Sequence, residues 1–166
     1  MKPAPIRLFP DPILRQESKE VSDFGESIAA VFRLLEMTMR SQSAGIGIAA
    51  PQIGIAKKIA LVDVSSRVPG ADALHLVNPV ILERKLQRPS REGCMSLPDY
   101  TAQLIRHDRI RLRWQDETGR FREKVSTGIE AVCIQHEVDH LLGILFFDHV
   151  ACLKTDMLPR GRGRLR

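Results

Sequence analysis

The stretch 135–140 reads Gln-His-Glu-Val-Asp-His and contains the pattern His-Glu-x-x-His. Two histidines four positions apart lie one above the other on an α-helix, because a turn takes about 3.6 residues, so His136 and His140 can reach one ion. Glu137 is about 100° around the helix from His136 and can face the ion without binding it. The stretch therefore predicts a helix suited to metal-assisted hydrolysis, in which imidazoles hold the metal and a carboxylate moves the proton of a bound water.

The sequence around this stretch is mostly apolar. Its large apolar side chains are Ile129, Val132, Ile134, Leu141, Leu142, Ile144, Leu145 and Phe146. A helix that is hydrophobic nearly all round is typically buried, and buried imidazole and carboxylate groups are costly unless they are paired or bound to a metal. Histidine pairs at this spacing also occur by chance on exposed helices, so it is the apolar surroundings that favour a metal site.

A catalytic metal of this kind needs a third protein ligand and an open fourth position for water. Cys94 is the best candidate, because a thiolate binds zinc and iron well and Gly93 leaves room for close approach. Cys133 is the rival ligand, since it lies about one turn before His136, although a small buried residue there is more often part of the core. A cysteine–histidine pair also suggests a thiol hydrolase with Cys94 as nucleophile, but that hypothesis leaves one histidine and Glu137 without a role.

The stretch 45–54 is short of side-chain bulk, reading Gly-Ile-Gly-Ile-Ala-Ala-Pro-Gln-Ile-Gly. Its opening matches a loose dinucleotide-binding fingerprint, but such a fingerprint follows a strand and opens a helix, whereas this one follows a predicted helix and runs into Pro51. The better interpretation is a loop whose small residues let the backbone approach a ligand. Gln52 is then a candidate polar group in that wall, with a surface amide as the equal alternative.

The coarse pattern predicts an α+β fold. Apolar residues at three- and four-residue spacings indicate an N-terminal helix at 24–39, and the metal-binding helix is predicted at 128–143. Strands are predicted at 58–64, 73–84, 101–114 and 120–126. Because strands and helices do not alternate as in βαβ units, we expect antiparallel β-sheets packed around the buried C-terminal helix.

The composition is that of an ordinary globular protein, with 166 residues, 43% of them apolar and 27% charged, which is enough chain for one core. The start of the chain has no apolar signal core, and no run approaches the roughly 18 apolar residues of a membrane span, so we expect a cytoplasmic protein. The cysteine count of three is odd and argues against a disulfide framework.

Much of the net charge of +5 lies at the C-terminal end, where Arg160, Arg162, Arg164 and Arg166 alternate with Gly and Leu. We therefore predict a single domain at 1–159 followed by a basic, disordered tail at 160–166. Such a tail can contact RNA or another acidic surface, or remain solvated.

Three blocks, at 45–52, 92–96 and 135–140, follow an opening at 6–15. In this combination the chain closely resembles the peptide deformylases over residues 6–148. The resemblance implies a hydrolase of protein biosynthesis that removes the formyl group from the N-formylmethionine of new chains, in the bacterial or organellar compartment of translation. It also implies one divalent metal per chain, with Fe(II) favoured and Zn(II), Ni(II) or Co(II) able to occupy the site.

The resemblance assigns roles position by position. The implied metal ligands are Cys94, His136 and His140. Glu137 is the implied general acid and base, and the formyl oxygen is held by the Gln52 side chain and the Met95 backbone N–H. The wall formed by Gly45, Ile46 and Gly47 suits a narrow slot for the small formyl group.

Two supporting contacts are predicted behind the metal ligands. Glu92 is expected to orient a metal-binding histidine through its second ring nitrogen. Asp139 is expected to pair with Arg106 and so to fix the helix against the strand that follows Cys94.

The chain departs from the family pattern at two positions. Met95 stands where leucine is usual, which should not matter because the backbone N–H is used. Thr101 stands where many members carry an arginine that helps to bind the peptide backbone, so we expect a difference in peptide affinity or preference.

Alternatives to the N-formylmethionyl peptide reaction are a paralogue acting on another small formyl compound and a non-catalytic paralogue that binds the ribosome. Besides the N-formylmethionyl peptide, we expect the ribosome as a partner, contacted through the basic tail.

Overall fold

Antiparallel strands form the frame of the computed structural model, which describes residues 2–42 and 45–160. Within these residues six strands form one sheet in the order β1-β2-β3-β4-β5, with β6 paired to β4. The strands are β1 (Gly47–Ala49), β2 (Ile59–Val62), β3 (Leu74–Cys94), β4 (Leu97–Gln115), β5 (Phe121–Thr127) and β6 (Met157–Pro159). The helices are α1 (Glu26–Arg40), α2 (Gly128–Leu141) and the single turn α3 (Leu153–Asp156), with 3₁₀ turns at Pro12–Arg15, Ala50–Ile53 and Phe146–His149.

The predicted α+β class is confirmed, since antiparallel strands surround a C-terminal helix. Helix α2 is buried on most of its surface and packs through Ala131, Ile134 and Leu141 on residues of β2, β3 and β4. Burial of a side chain as large as Ile134 or Leu141 contributes roughly 1.5–3 kcal/mol to the free energy of unfolding. The sheet is therefore the surface that holds the metal-binding helix in place.

Strands β3 and β4 form one long hairpin whose tip carries Cys94. Cys94 pairs with Leu97, so that the turn consists of two residues. The sequence had predicted a strand at 73–84, whereas β3 extends to Cys94 and includes Pro89. The strand continues because β4 pairs with it as far as Cys94, while β2 pairs only with residues 74–77. Beyond that point β3 is hydrogen-bonded only to β4 within the described residues, and such an edge position accepts a proline.

Two polar contacts fix α2 against its neighbours. Gln135 donates from Nε2 to the His107 carbonyl at 2.8 Å and accepts from the His107 N–H at 3.1 Å, which ties the helix to β4.

Gly143 follows the helix with a φ of 72°. A Cβ atom there would lie 2.6 Å from the Arg15 carbonyl oxygen, so glycine is required both for the backbone conformation and for the close passage of the N-terminal arm.

Helix α1 packs on the other side of the short strand β1. Its buried side chains Ile28, Phe32, Leu35 and Met39 form one cluster with Ile48 and Ile59. Strand β1 and the 3₁₀ turn after it contact both α1 and α2, and this places the stretch from Gly47 to Gln52 beside the histidines. The three cysteines are free thiols.

In the part of the chain that the structure describes, no helix combines the length and apolar character needed to cross a membrane. Arg160 is the last described residue, so the remainder of the predicted tail, 161–166, lies outside the described residues.

Candidate metal centre and active site

Cys94, His136 and His140 come together although they derive from two distant parts of the chain. Their ligand atoms all lie within 4.8 Å of one another, and Cys94 Sγ is 3.2 Å from His140 Nε2. The two imidazole centroids are 5.0 Å apart on α2, as expected for residues separated by one turn. The hairpin tip brings the cysteine to the open side of this histidine pair.

The charges of this cluster suit a divalent cation. Burial opposes ionisation of the Cys94 thiol, but attraction to His140 and a hydrogen bond to His136 hold its pKa well below the usual range. A buried thiolate beside two imidazoles is a donor set that binds zinc and iron. The residues present therefore fit a divalent metal.

His136 is oriented by the carboxylate of Glu92. His136 Nδ1 lies 2.9 Å from Glu92 Oε2. Burial raises the pKa of Glu92, but His136 and Arg106 outweigh it and bring the pKa down to about 2. Because an ionised carboxylate can only accept, Nδ1 must carry a proton, so Nε2 is the ring nitrogen of His136 that can bind a metal.

Arg106 joins two carboxylates behind the site. Its Nε and Nη2 donate to the oxygens of Glu92 at 2.8 and 3.0 Å, and its Nη1 donates to Asp139 Oδ2 at 2.6 Å. Asp139 also contacts His149 Nε2 at 2.7 Å. The guanidinium thus connects β3, β4 and α2, and it contacts both of the residues that the sequence had placed behind the ligands.

Glu137 lines the same cavity as Cys94 and His136. It is not one of the converging donor atoms found among the described residues. Its Oε1 lies against Gly47, where an added Cβ atom would be 2.5 Å away. Its Oε2 is buried and has no hydrogen-bond partner among the described residues. Burial raises the pKa of Glu137 to about 7, although the two imidazoles act in the opposite direction. A carboxyl group with such a pKa can both accept and return a proton near neutral pH.

Gln52 is a buried amide rather than a surface one, with 1% of its surface exposed. Its Oε1 accepts from the Ala49 N–H at 2.9 Å, and its Nε2 donates to Ser96 Oγ at 3.2 Å and lies 3.5 Å from Cys94 Sγ. The acceptor side of the amide is therefore occupied by the backbone, and the donor side points toward the ligand cluster.

A single cavity of about 520 Å³ connects these groups to the surface. Gly45, Ile46 and Gly47 line this cavity, and so do Cys94 and Met95. Apolar side chains of α2 line the remaining depth, among them Ile129 and Val132. Gly45 and Gly47 contribute no side chain to this lining, so the backbone is open to a bound group there.

Cys133, the rival ligand, is placed differently. Its Sγ donates to the Ile46 carbonyl at 3.3 Å, and burial raises its pKa well above the usual range. It is absent from the group of converging donor atoms found among the described residues. A neutral thiol with its own acceptor is part of the cavity wall.

Sequence reasoning missed several residues that border the site. Ser96, whose Oγ accepts a hydrogen bond from Gln52, lies in the block 92–96, but no role was predicted for it. His149 lies just after the metal-binding helix and carried no signal of its own. No place at the cavity was predicted for four arginines, which come from three separate segments of the chain: Arg67, Arg88, Arg91 and Arg160.

Comparisons with known proteins agree with this geometry. Residues 3–156 match the family model of polypeptide deformylase. The peptide deformylase of Zymomonas mobilis is 39% identical over 161 residues, which cover 94% of this chain and 90% of that protein. The peptide deformylase of Acidobacterium capsulatum is 35% identical over 156 residues, which cover 94% and 91%.

Solved structures show the same fold. The peptide deformylase of Thermotoga maritima superposes with a TM-score of 0.85 at 33% identity, covering 92% of this chain and all, 100%, of that chain. A class I type b enzyme from Acinetobacter baumannii with Met-Ala-Ser bound gives a TM-score of 0.83 at 31% identity, covering 89% and 98%. The chain therefore belongs to the polypeptide deformylase family, whose members are hydrolases that remove the N-formyl group from newly made polypeptides.

Proposed function

We propose that Cys94, His136 and His140 bind one divalent metal, with Fe(II) favoured and Zn(II), Ni(II) or Co(II) able to take its place. The observation that carries this proposal is the convergence of one buried cysteine sulfur and two imidazoles within 4.8 Å. Gln52 and Glu137 border the same cavity. When bound, such a metal lowers the pKa of water and polarises the oxygen of a carbonyl group.

The protein groups supply positioning and proton transfer. Gln52 Nε2 and the Met95 backbone N–H donate to the formyl oxygen as negative charge develops on it, and a well-placed donor of this kind contributes about 3–4 kcal/mol. Glu137 accepts a proton from the attacking water and returns it to the departing amine, as its position in the same cavity permits. The wall at 45–47, in which Gly45 and Gly47 have no side chain, admits a formyl group, whose carbon carries only hydrogen, and excludes bulkier acyl groups.

The substrate is the N-formylmethionyl end of a new polypeptide, and the products are formate and a free amino terminus. The related enzyme from Acinetobacter baumannii was solved with Met-Ala-Ser bound, and that peptide is what deformylation of formyl-Met-Ala-Ser would release. The setting is the bacterial or organellar compartment of translation. The basic residues at 160–166 contribute an electrostatic attraction to the ribosome.

Two alternatives have less support. A different small formyl compound as substrate is suggested only by Thr101, and the matched relatives carry the name peptide deformylase. A non-catalytic, ribosome-binding paralogue is expected to have lost at least one of the groups that carry the chemistry. Here the ligand cluster, Gln52 and Glu137 are all present and adjoin one cavity.

The test is formate release from formyl-Met-Ala-Ser by protein purified without oxygen and loaded with Fe(II), Ni(II) or Zn(II). Release by the wild type but not by Glu137→Ala supports the proposal, and the order of rates ranks the metals. Absence of release with every metal, despite one bound metal per chain, refutes it. For the ribosome contact, a chain truncated after Arg160 should lose co-sedimentation with ribosomes at low salt, and unchanged co-sedimentation would remove this part of the proposal.

A further inference from the structure

The mouth of the cavity carries an excess of positive charge. Arg67, Arg88, Arg91 and Arg160 line it. The acidic residues that line the cavity are Glu92, which is already bound by Arg106 and His136, and Glu137, which lies at the catalytic end. Arg88 is neutralised by Asp108 at 2.7 Å, whereas the other three arginines form no ion pair with any residue between 2–42 or 45–160. Among residues 2–42 and 45–160, no carboxylate neutralises Arg67, Arg91 or Arg160, so the mouth can bind an anionic group.

Arg160 is the arginine of this group that is packed against Gly93, the residue before Cys94. Strand β6 pairs Leu158 with Thr101, and the Arg160 N–H donates to the Asp99 carbonyl at 2.7 Å. The guanidinium rests over Gly93, where an added Cβ atom would be 1.9 Å from its Nη2. Arg160 thus covers the backbone of the residue that directly precedes Cys94.

Thr101 and Gly93 leave room for this arrangement. The two residues face each other in the β3–β4 pairing, and Thr101 Cγ2 would lie 3.3 Å from a Cβ atom at Gly93. Arg91 donates to Thr101 Oγ1 at 3.3 Å from the other direction. A longer side chain at position 101 would compete for the surface that Arg160 occupies.

The dimensions of the cavity set which part of a peptide reaches Arg160. A sphere of 520 Å³ is roughly 10 Å across, and an extended chain covers about 3.3–3.6 Å per residue. A peptide whose formyl group lies beside Cys94 therefore brings its second or third residue to the mouth. A guanidinium offers paired N–H donors that match the two oxygens of a carboxylate.

On the basis of the proposed deformylase function, we propose that Arg160 is a specificity-determining residue that binds a carboxylate at the second or third residue of the formyl peptide. The carboxylate is either the C-terminus of a short peptide or the side chain of Asp or Glu. The chain would accordingly favour acidic or very short formyl peptides over neutral, longer ones.

The test compares three substrates: formyl-Met-Ala-Ser, its C-terminal amide, and formyl-Met-Ala-Asp amide. For the Ni(II)-loaded wild type, KM should be about three- to tenfold lower for each substrate that has a carboxylate, as expected for one partly exposed charged pair. In Arg160→Ala this advantage should disappear while kcat for the neutral amide stays within about twofold, and Arg160→Lys should keep part of it. Arg109→Ala, which removes an exposed arginine elsewhere on β4, is the control and should keep the full advantage. The first and third substrates separate a C-terminal carboxylate from a side-chain carboxylate.

Equilibrium binding of Met-Ala-Ser and its amide, measured by calorimetry, tests Arg160 without turnover. The wild type should bind the acid more tightly than the amide, and Arg160→Ala should bind both equally. Equal preference in wild type and Arg160→Ala, by both KM and calorimetry, would overturn the inference about Arg160. Absence of formate release from all three substrates would instead overturn the proposed function. Calorimetry would still decide whether Arg160 binds a carboxylate of the peptide.

Discussion

Replacing Arg106 by alanine removes the cation that joins Glu92 to Asp139 behind the metal cluster. The Arg106 side chain is 4% exposed, and the two carboxylates that it contacts are 6% and 15% exposed. Both carboxylates have a pKa below the ordinary value, in part because of Arg106, although burial alone would raise it. The substitution therefore leaves two buried negative charges with fewer partners.

The expected loss can be estimated from this burial. Removal of one partner of a buried ion pair destabilises a protein by about 3–5 kcal/mol, because the remaining charge stays buried. For a chain of this size, roughly 2–4 °C of melting temperature corresponds to each kcal/mol, so Arg106→Ala should lower the melting temperature by roughly 6–20 °C. Metal affinity should fall by about 10- to 100-fold, because Glu92 would no longer be held against His136.

The assay is urea unfolding followed by circular dichroism, together with metal content after dialysis against a weak chelator. Arg111→Ala is the matched control on the same strand, because its contact with Glu123 spans 3.7 Å and both side chains are 48% exposed; it should change the free energy of unfolding by less than about 1 kcal/mol. Arg106→Lys keeps the charge without the forked donors and should fall between the wild type and Arg106→Ala. If Arg106→Ala unfolds within about 1 kcal/mol of the wild type and retains its metal, the reasoning about this network is refuted.

Other perturbations follow from the same structure. Gly47→Ala should reduce kcat about 100-fold without loss of metal, because its Cβ atom would lie 2.5 Å from Glu137 Oε1 and a small displacement of a catalytic group is costly; unchanged kcat would contradict the close packing. Partial burial raises the pKa of Asp148, but Arg15 and the Leu145 N–H outweigh it and the pKa is lowered. The stability from this group is thus present above about pH 3.9, its unfolded pKa, and is lost as pH falls through the folded pKa. Asp148→Asn should accordingly lose less stability than the wild type in urea unfolding between pH 5 and 3 (approximate limits around that pKa), and parallel pH profiles would refute this. Removal of the metal by a chelator should lower the melting temperature in proportion to the logarithm of free metal concentration, and a melting temperature independent of metal would be the contrary result.

The helix and its histidines were predictable because the information is local. Spacing alone places His136 and His140 on one face of a helix, and the apolar neighbours indicate its burial. Glu92 and Arg106 were expected near the ligands, and the structure shows both contacts. Such contacts can be anticipated because helical geometry and charge complementarity apply wherever the helix packs.

The parts that were not predicted depend on pairing between distant residues. The strand through Pro89 looks irregular in sequence, and it is extended because β4 supplies a partner along its length. Arg160 seemed to be the first residue of a solvated tail, yet pairing of β6 with β4 holds it over Gly93. No periodicity in the sequence reports such non-local contacts.

The most direct test of the central claim uses Co(II) as the bound metal and follows the thiolate-to-cobalt charge-transfer absorption. The account predicts one Co(II) per chain and a charge-transfer band in the wild type. The band should be lost in Cys94→Ser and kept in Cys133→Ser, and Glu137→Ala should keep both the metal and the band but release no formate. A band that survives in Cys94→Ser, or that disappears in Cys133→Ser instead, would contradict the assignment of Cys94, His136 and His140 as the metal ligands of this deformylase.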